Sequence, residues 1–273
     1  MTEAELISRA KAGDRDAFAA LYEPVERPLA AFLYRLTASR QEAGDMAQEA
    51  AIEALEKIGD FGEASSFRTW IFRFAVRAAL DYLKERPPWD PDAQLWAGQR
   101  LGETPGERKR LEKLHGTRLH TSYEIREHID FCFICMGRTL LAHEAAALLL
   151  VGMHGFTPEE AAEVLDAGAD AIRFRVQEAR RILAGYFDRR CTLINPAGTC
   201  GHCAGFHTWL YGDRQETEKA LFQITLQPRA TPEERAATLS ERIAIVRSVD
   251  PVLGEGAKFH EALMTFLRKV SHY

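Results

Sequence analysis

The sequence predicts an all-α protein, on three observations. Apolar residues recur three and four positions apart through most of the chain, and the alternating Val/Ile/Thr runs that mark strands are absent. The helical pattern is interrupted at two places, once by a Pro-rich stretch and once by a Cys- and Gly-rich one. With 273 residues, 46% of them hydrophobic, the chain can build one large core or two small ones. No apolar run reaches the roughly 18 residues needed to span a bilayer. The N-terminal MTEAELISRAKAGDRDAF lacks the basic-then-apolar order of a signal peptide, so a cytoplasmic location without a membrane partner is expected. The net charge of −5 removes any argument for nucleic acid from overall basicity, and local basic faces would have to carry such contacts.

The first block covers residues 1–86. In QEAGDMAQEAAIEALEKI, Met46, Ala47, Ala50, Ala54, Leu55 and Ile58 share one broad helix face. Asp45, Gln48, Glu49, Glu53 and Glu56 fall three or four apart on another, a pattern that by itself reads as a solvated acidic stripe. The following DFGEASSFRTWIFRFAVRAALDYLKER enters a helix through a Gly/Ser loop, with Ser66 as its N-cap. Phe67, Trp70, Phe72 and Phe74 stand beside Arg68, Arg73 and Arg77. Aromatic rings next to arginines can stack unpaired bases and neutralise phosphates. Rings this dense on one helix cannot all face outward, so most are expected to pack. Pro87, Pro88, Pro91 and Pro105 then forbid one continuous helix and mark a linker over 87–106.

The second block, 107–190, ends in LLAHEAAALLLVGMHGFTPEEAAEVLDAGADAIRFRVQEARRIL. Thr157, Pro158 and Glu160 form a capping-box start, Asp166, Ala167 and Gly168 a turn, and a second helix carries Arg173, Arg175, Arg180 and Arg181. Ile172, Val176, Ala179 and Leu183 are its inward positions. This is helix-turn-helix grammar, in which an arginine near the start of the second helix can bind a guanine edge, although a basic helix is often only a solvated face. A third segment, 191–273, opens on the loop CTLINPAGTCGHCAG and continues as amphipathic helices, with a second TPEE capping box at Thr231.

Five cysteines in a chain expected to be cytoplasmic suggest metal or redox chemistry more than a disulfide framework. Cys132 with Cys135, and Cys200 with Cys203, form two C-x-x-C pairs that bracket the second block. Four thiolates brought together would make a tetrahedral zinc site, and the same set would hold an iron–sulfur cluster. The alternatives are small buried core cysteines and a reversible disulfide. Cys191 is an alternative ligand or a buried thiol, and His128, His202 and His207 are near enough in sequence to substitute.

The run DAFAALYEPVERPLAAFLYRLT, then AGDMAQEAAIEALEKI, then DFGEASSFRTWIFRFAVRAALDYLKER resembles region 2 of sigma factors of the extracytoplasmic-function group, in the sigma-70 family. The matching residues are Asp16, Phe18, Tyr22, Asp45, Gln48, Glu49, Ser65, Ser66, Arg68, Thr69, Trp70, Ala75, Ala79, Leu80 and Asp81. The resemblance implies that Asp45, Gln48 and Glu49 dock on core RNA polymerase. It implies that Phe61, Ser65, Ser66, Arg68, Trp70, Arg73 and Arg77 open and read the −10 promoter element. The helix-turn-helix segment resembles region 4, which implies reading of the −35 element by Arg173, Arg175 and Arg180. Val76 and Ala78 flank Arg77 where the family often has basic or polar residues, so −10 binding is expected to be weaker or differently distributed. Ala167, Gly168 and Glu178 depart from the region 4 pattern, so −35 recognition is expected to be weaker or narrower, though not lost.

The resulting expectation is an all-α sigma factor: region 2, linker, region 4, and a helical C-terminal extension tied by a cysteine-ligated metal. Its partners are core polymerase, promoter DNA and an anti-sigma factor. The extension is a structural clamp, a sensor or an inhibitor in cis. The alternatives are a sigma-derived DNA-binding regulator and a metal or thiol sensor acting on a protein partner. No phosphate-binding glycine loop, nucleophile elbow or His-Glu metalloprotease motif points to an enzyme.

Overall fold

The computed structural model describes residues 1–62, 65–93, 100, 103–115, 121–191, 231–252 and 257–270. They are helical, with no β-strand among the described residues. They form two compact units, one of residues 1–87 and 141–177, the other of 88–140 and 178–273. No helix among the described residues is long and apolar enough to cross a membrane.

The first unit begins with α1 (Glu3–Lys11), started by a capping box in which Thr2 N–H donates to Glu5 Oε2 at 2.8 Å. Helix α2 (Arg15–Thr37) is capped by Asp14, whose Oδ1 accepts from the Asp16 and Ala17 amides at 3.0 and 3.1 Å. It runs unbroken through Pro24 and Pro28. An interior proline removes a backbone hydrogen bond, so local propensity alone would end the helix. The fully buried stripe of Leu29, Phe32, Leu33 and Leu36 outweighs that local loss. Ala38 ends α2 in the left-handed region, at φ 57°. Helix α3 (Arg40–Glu56) follows from a Ser39 cap and buries Ala43, Met46, Ala47, Ala50 and Ala54. This mostly alanine stripe lets α3 lie close to α2, where Tyr22 Oη reaches Ala47 O at 3.5 Å.

A 3₁₀ turn (Ile58–Asp60) leads toward α4 (Phe67–Lys84). Ser66 caps α4 by accepting from the Thr69 amide at 3.1 Å, and Glu3 accepts from the Phe67 amide at 3.2 Å. Phe67, Ile71, Phe72, Ala75 and Val76 are essentially inaccessible.

Residues 141–177 complete this unit. Helix α7 (Ala142–Ala147) passes into a π-helical segment (Leu148–Met153), where His154 N–H donates to Leu149 O at 2.9 Å. Helix α8 (Pro158–Leu165) starts at the Thr157 capping box, with Thr157 N–H to Glu160 Oε2 at 2.7 Å and Glu160 N–H back to Thr157 Oγ1 at 3.1 Å. Asp166 turns the chain at φ 47°, and α9 (Ala169–Arg190) begins two residues after Ala167. Helix α8 packs along α4.

These units cut the chain differently from the sequence boundaries of 1–86, 87–106, 107–190 and 191–273. Residues 141–177 join the first block because the apolar faces of α7 and α8 find their cover on α4: the Phe156 ring lies 4.9 Å from that of Phe72. The start of the expected linker is also packed. Trp89 is buried in the second unit, its N–H donates to Arg138 O at 2.8 Å, and Asp92 pairs with Arg190 at 2.8 Å. A Trp this apolar gains more from burial than a tether gains from freedom.

The second unit contains α5 (Pro105–His115), α6 (Thr121–Gly137), the end of α9, α10 (Pro232–Arg247) and α11 (Ala257–Val270). Ile129, Phe133, Ile134, Leu183, Val246, Met264 and Leu267 form its apolar core. Thr231 immediately precedes α10, as the second TPEE requires.

Phe156→Ala should lower the unfolding free energy by about 3–5 kcal/mol, as expected for a large buried aromatic. Thr157→Ala should lower it by about 1 kcal/mol through loss of the cap. Urea denaturation measures both, and a Phe156→Ala loss no greater than that of Thr157→Ala would show that Phe156 is not a core anchor.

Candidate functional site

Helix α3 presents a continuous exposed ridge. Asp45, Gln48 and Glu49 are all exposed, opposite the buried Ala43/Met46/Ala47/Ala50 stripe. Ile52, one turn on, is 50% exposed, an apolar spot on an otherwise acidic ridge that the periodicity gave no reason to single out. The ridge thus combines charged and polar side chains with one exposed apolar one.

The segment from Phe61 to Arg77 sorts into inward and outward residues. Phe61 and Trp70 are buried, with ring centroids 5.2 Å apart, in a cluster with Phe67, Phe18 and Phe74. They support the surface from beneath in this conformation and offer no open face to a base. Ser65 is half-buried and Ser66 is exposed at the helix cap. Arg73 and Arg77 point outward. Arg77 reaches across to α3 and pairs with Glu53 at 2.6 Å, while Lys57 holds the same carboxylate at 2.7 Å. These two donors, Lys57 first and then Arg77, hold the Glu53 carboxyl below its ordinary pKa.

Arg68 behaves differently from its neighbours. Its guanidinium lies 4.0 Å from the Phe156 ring centroid and 5.7 Å from that of Phe72, and it donates to the carbonyl of His154. The His154 ring in turn sits edge-on to Phe32 at 5.6 Å. Burial lowers the Arg68 pKa, and the nearby Glu160 carboxylate opposes that shift. The residue that the sequence places at a DNA surface is therefore engaged by the segment just before α8.

On α9, Arg173 is exposed and paired with Asp170 at 2.8 Å and with Glu159 of α8. Arg175 is only half-exposed, on the flank of the helix. Arg180 belongs to the second unit, where it donates to Ser240 Oγ of α10 at 2.6 Å. Glu178, one of the departures from region 4, is hydrogen-bonded by Arg181 Nε at 2.8 Å, which offsets its charge and lowers its pKa. Phe174, 68% exposed, and Gln177, also exposed, share the open face of α9 although no motif singles them out. Counting outward from the buried Ile172 and Ala179 would have found them.

The cysteine site is placed only in part. Cys132 is half-buried and Cys135 buried on α6, and Cys135 Sγ lies 3.9 Å from Met264 Sδ, the packing of a small apolar thiol. Cys200, Cys203, His202 and His207 lie outside the described residues. Among the described residues no three His, Cys, Asp or Glu side chains converge as ligands. The His128 and His260 rings are 6.0 Å apart, with Phe131 against both. Cys191 is a buried thiol that accepts from Arg242 Nη2 at 3.2 Å.

Comparison with known proteins matches residues 21–86 to sigma-70 region 2, which spans most of α2, all of α3 and all of α4. The RNA polymerase sigma-H factor of Pseudomonas aeruginosa is 28% identical over 180 residues, 66% of this chain and 90% of that protein. The ECF RNA polymerase sigma-E factor of Haemophilus influenzae is 28% identical over 193 residues, 67% of this chain and 94% of that protein. Among solved structures, the sigma factor RpoE in complex with the anti-sigma factor NepR from Bartonella quintana matches 62% of this chain and 96% of that one. The identity there is 19% and the TM-score 0.41.

A depressed carboxylate contributes stability that is present above its unfolded pKa and lost as pH falls through the folded one. Lys57→Ala and Arg77→Ala should each raise the Glu53 titration toward 4.5, followed by carboxyl NMR. Because the pairs are exposed, each variant should cost no more than about 0.2–1 kcal/mol. A Glu53 titration unmoved in both variants would contradict the pairing.

Proposed function

We propose that this chain, a homologue of the extracytoplasmic-function sigma factors that carries their sigma-70 region 2, directs RNA polymerase to specific promoters. The single observation that carries the reading is the exposed Asp45/Gln48/Glu49 ridge within the matched region, beside a helix from which Arg73 and Arg77 point outward. Exposed carboxylates on a helix backed by alanines have no structural task of their own, which suits docking onto a basic surface of the polymerase.

On this reading Arg73 and Arg77 meet the phosphates around the −10 element, and Ser65, Ser66 and Arg68 lie where an opened strand would pass. Phe61 and Trp70 shape that surface. Using Arg68 on DNA requires breaking its contacts with His154 and Phe156, so promoter opening includes a rearrangement within the first unit. Helices α8 and α9 act as a region 4 helix-turn-helix on the −35 element, with Arg173 as a base-contacting residue and Arg175 and Arg180 as flanking backbone contacts. The protein works in the cytoplasm as a regulatory subunit, and an anti-sigma factor covering the α3 ridge would hold it inactive. Cys132, Cys135, Cys200 and Cys203 are a candidate zinc site that would tie the C-terminal extension to α6.

Asp45→Ala with Gln48→Ala should weaken binding to core polymerase by an order of magnitude or more while the melting temperature stays unchanged, because both side chains are exposed. Unchanged affinity would reject the docking role. Reconstituted transcription over genomic fragments tests the function itself: a chain that binds DNA yet yields no promoter-specific transcript would be a DNA-binding regulator instead. Purified protein should carry one zinc per chain, lost with a lower melting temperature in Cys132→Ser with Cys200→Ser. A metal-free wild type of equal stability would end the zinc reading.

A further inference from the structure

The sequence singles out the arginines of α9, but the structure puts different chemistry on the face that α9 leaves open. Ile172 and Ala179 are fully buried and define the inner face. At 3.6 residues per turn, Asp170, Arg173, Phe174 and Gln177 then share an outward arc of about 100°. All four are exposed, Phe174 by 68%. Arg175 lies off this arc and is half-buried. One exposed phenylalanine is ordinary on a protein surface; what distinguishes this arc is that an apolar ring, a guanidinium and a carboxamide lie side by side on it. Each of these side chains has a partner among base edges in the major groove. Arginine fits the guanine O6/N7 edge, glutamine the adenine N6/N7 edge, and a phenylalanine ring the thymine 5-methyl group.

We propose that Phe174 and Gln177, with Arg173, are the sequence-reading residues of this protein, and that Phe174 selects a thymine in the −35 element through its methyl group. The inference rests on the sigma reading above and specifies the surface that this reading leaves general. Spacing supports it: Arg173 to Gln177 spans about 6 Å along the helix, roughly two base-pair steps, so the three side chains address neighbouring base pairs. The occupant is duplex DNA, because the face joins a guanidinium to an apolar ring and a carboxamide, the mixed donor and methyl pattern of a base-pair edge. Asp170 on the same arc is a carboxylate that phosphates would repel, and with Glu159 it holds Arg173 by ion pairs until a guanine edge replaces them. A carboxylate there is compatible with a cytosine amino group, which donates to it.

The test uses the full chain bound to core polymerase and a duplex selected by that complex from a random-sequence pool. Each thymine of the selected −35 segment is replaced in turn by uracil, which removes only the 5-methyl group. At one position the replacement should weaken wild-type binding about fourfold, the weight of one buried methyl-sized group. Phe174→Ala should bind the thymine and uracil duplexes equally, and Gln177→Ala should lose on the order of tenfold at a neighbouring adenine. Both positions are exposed, so unchanged circular dichroism will establish that the variants are folded. Uracil replacement that weakens wild type and Phe174→Ala alike, or weakens neither, overturns the inference. So does a Phe174→Ala variant that loses affinity for polymerase without DNA. If no −35 sequence emerges from the selection and Arg173→Ala leaves binding intact, the region 4 reading itself has failed.

Discussion

The stacking of Arg68 between α4 and the chain around Phe156 is the contact on which the first unit depends. Helices α7 and α8 are short, and short helices hold only when an apolar face is covered by something larger. That cover is α4, through Phe72 and Phe156, with the Arg68 guanidinium closing the edge of the aromatic layer. A half-buried cation is tolerable there because its planar group lies against rings and one of its donors finds the His154 carbonyl. The same side chain is on the surface that would meet a melted promoter. Under the proposed function Arg68 would have to leave this stack to reach a strand, so its packing contact and its proposed DNA contact exclude each other.

Elsewhere the first unit separates these demands. Helix α3 uses small residues inward and charged ones outward, so close packing against α2 and an open acidic ridge coexist on one element. Helix α4 does the same with larger side chains: its rings build the core, while Arg73 and Arg77 stay accessible. Burial of Phe61 and Trp70 builds the core of this helix and leaves Arg73 and Arg77 on its outer side.

The second unit is held by different chemistry. Its core includes Glu127, His128, Asp130, Arg138, Arg242 and His260, all buried. Buried charges are costly unless compensated, and Arg242 shows how compensation is arranged. Its guanidinium stacks 4.1 Å from the Phe187 ring centroid and donates to Cys191. This pairing ties α10 to the C-terminal end of α9. Ser240 of α10 accepting from Arg180 extends that tie to the unit's surface.

Much was legible in the sequence because it depends on near neighbours along the chain. The Ser66 and Thr157 caps, the turn at Asp166, the acidic ridge and the inward faces of α3 and α9 follow from spacing and local hydrogen bonding and stand in the structure, except that Leu55 and Val176 are only half-buried. What the sequence could not decide was which surfaces meet at long range. Pro24 and Pro28 stay inside α2 because of what the helix is packed against. Trp89 belongs to a core although prolines surround it. Arg68 turns toward Phe156 and away from solvent, while Phe174, apolar by composition, is left outside. Local propensity and periodicity say which face of a helix is apolar; only the tertiary structure says which partner covers it, because that burial is settled by residues distant in sequence.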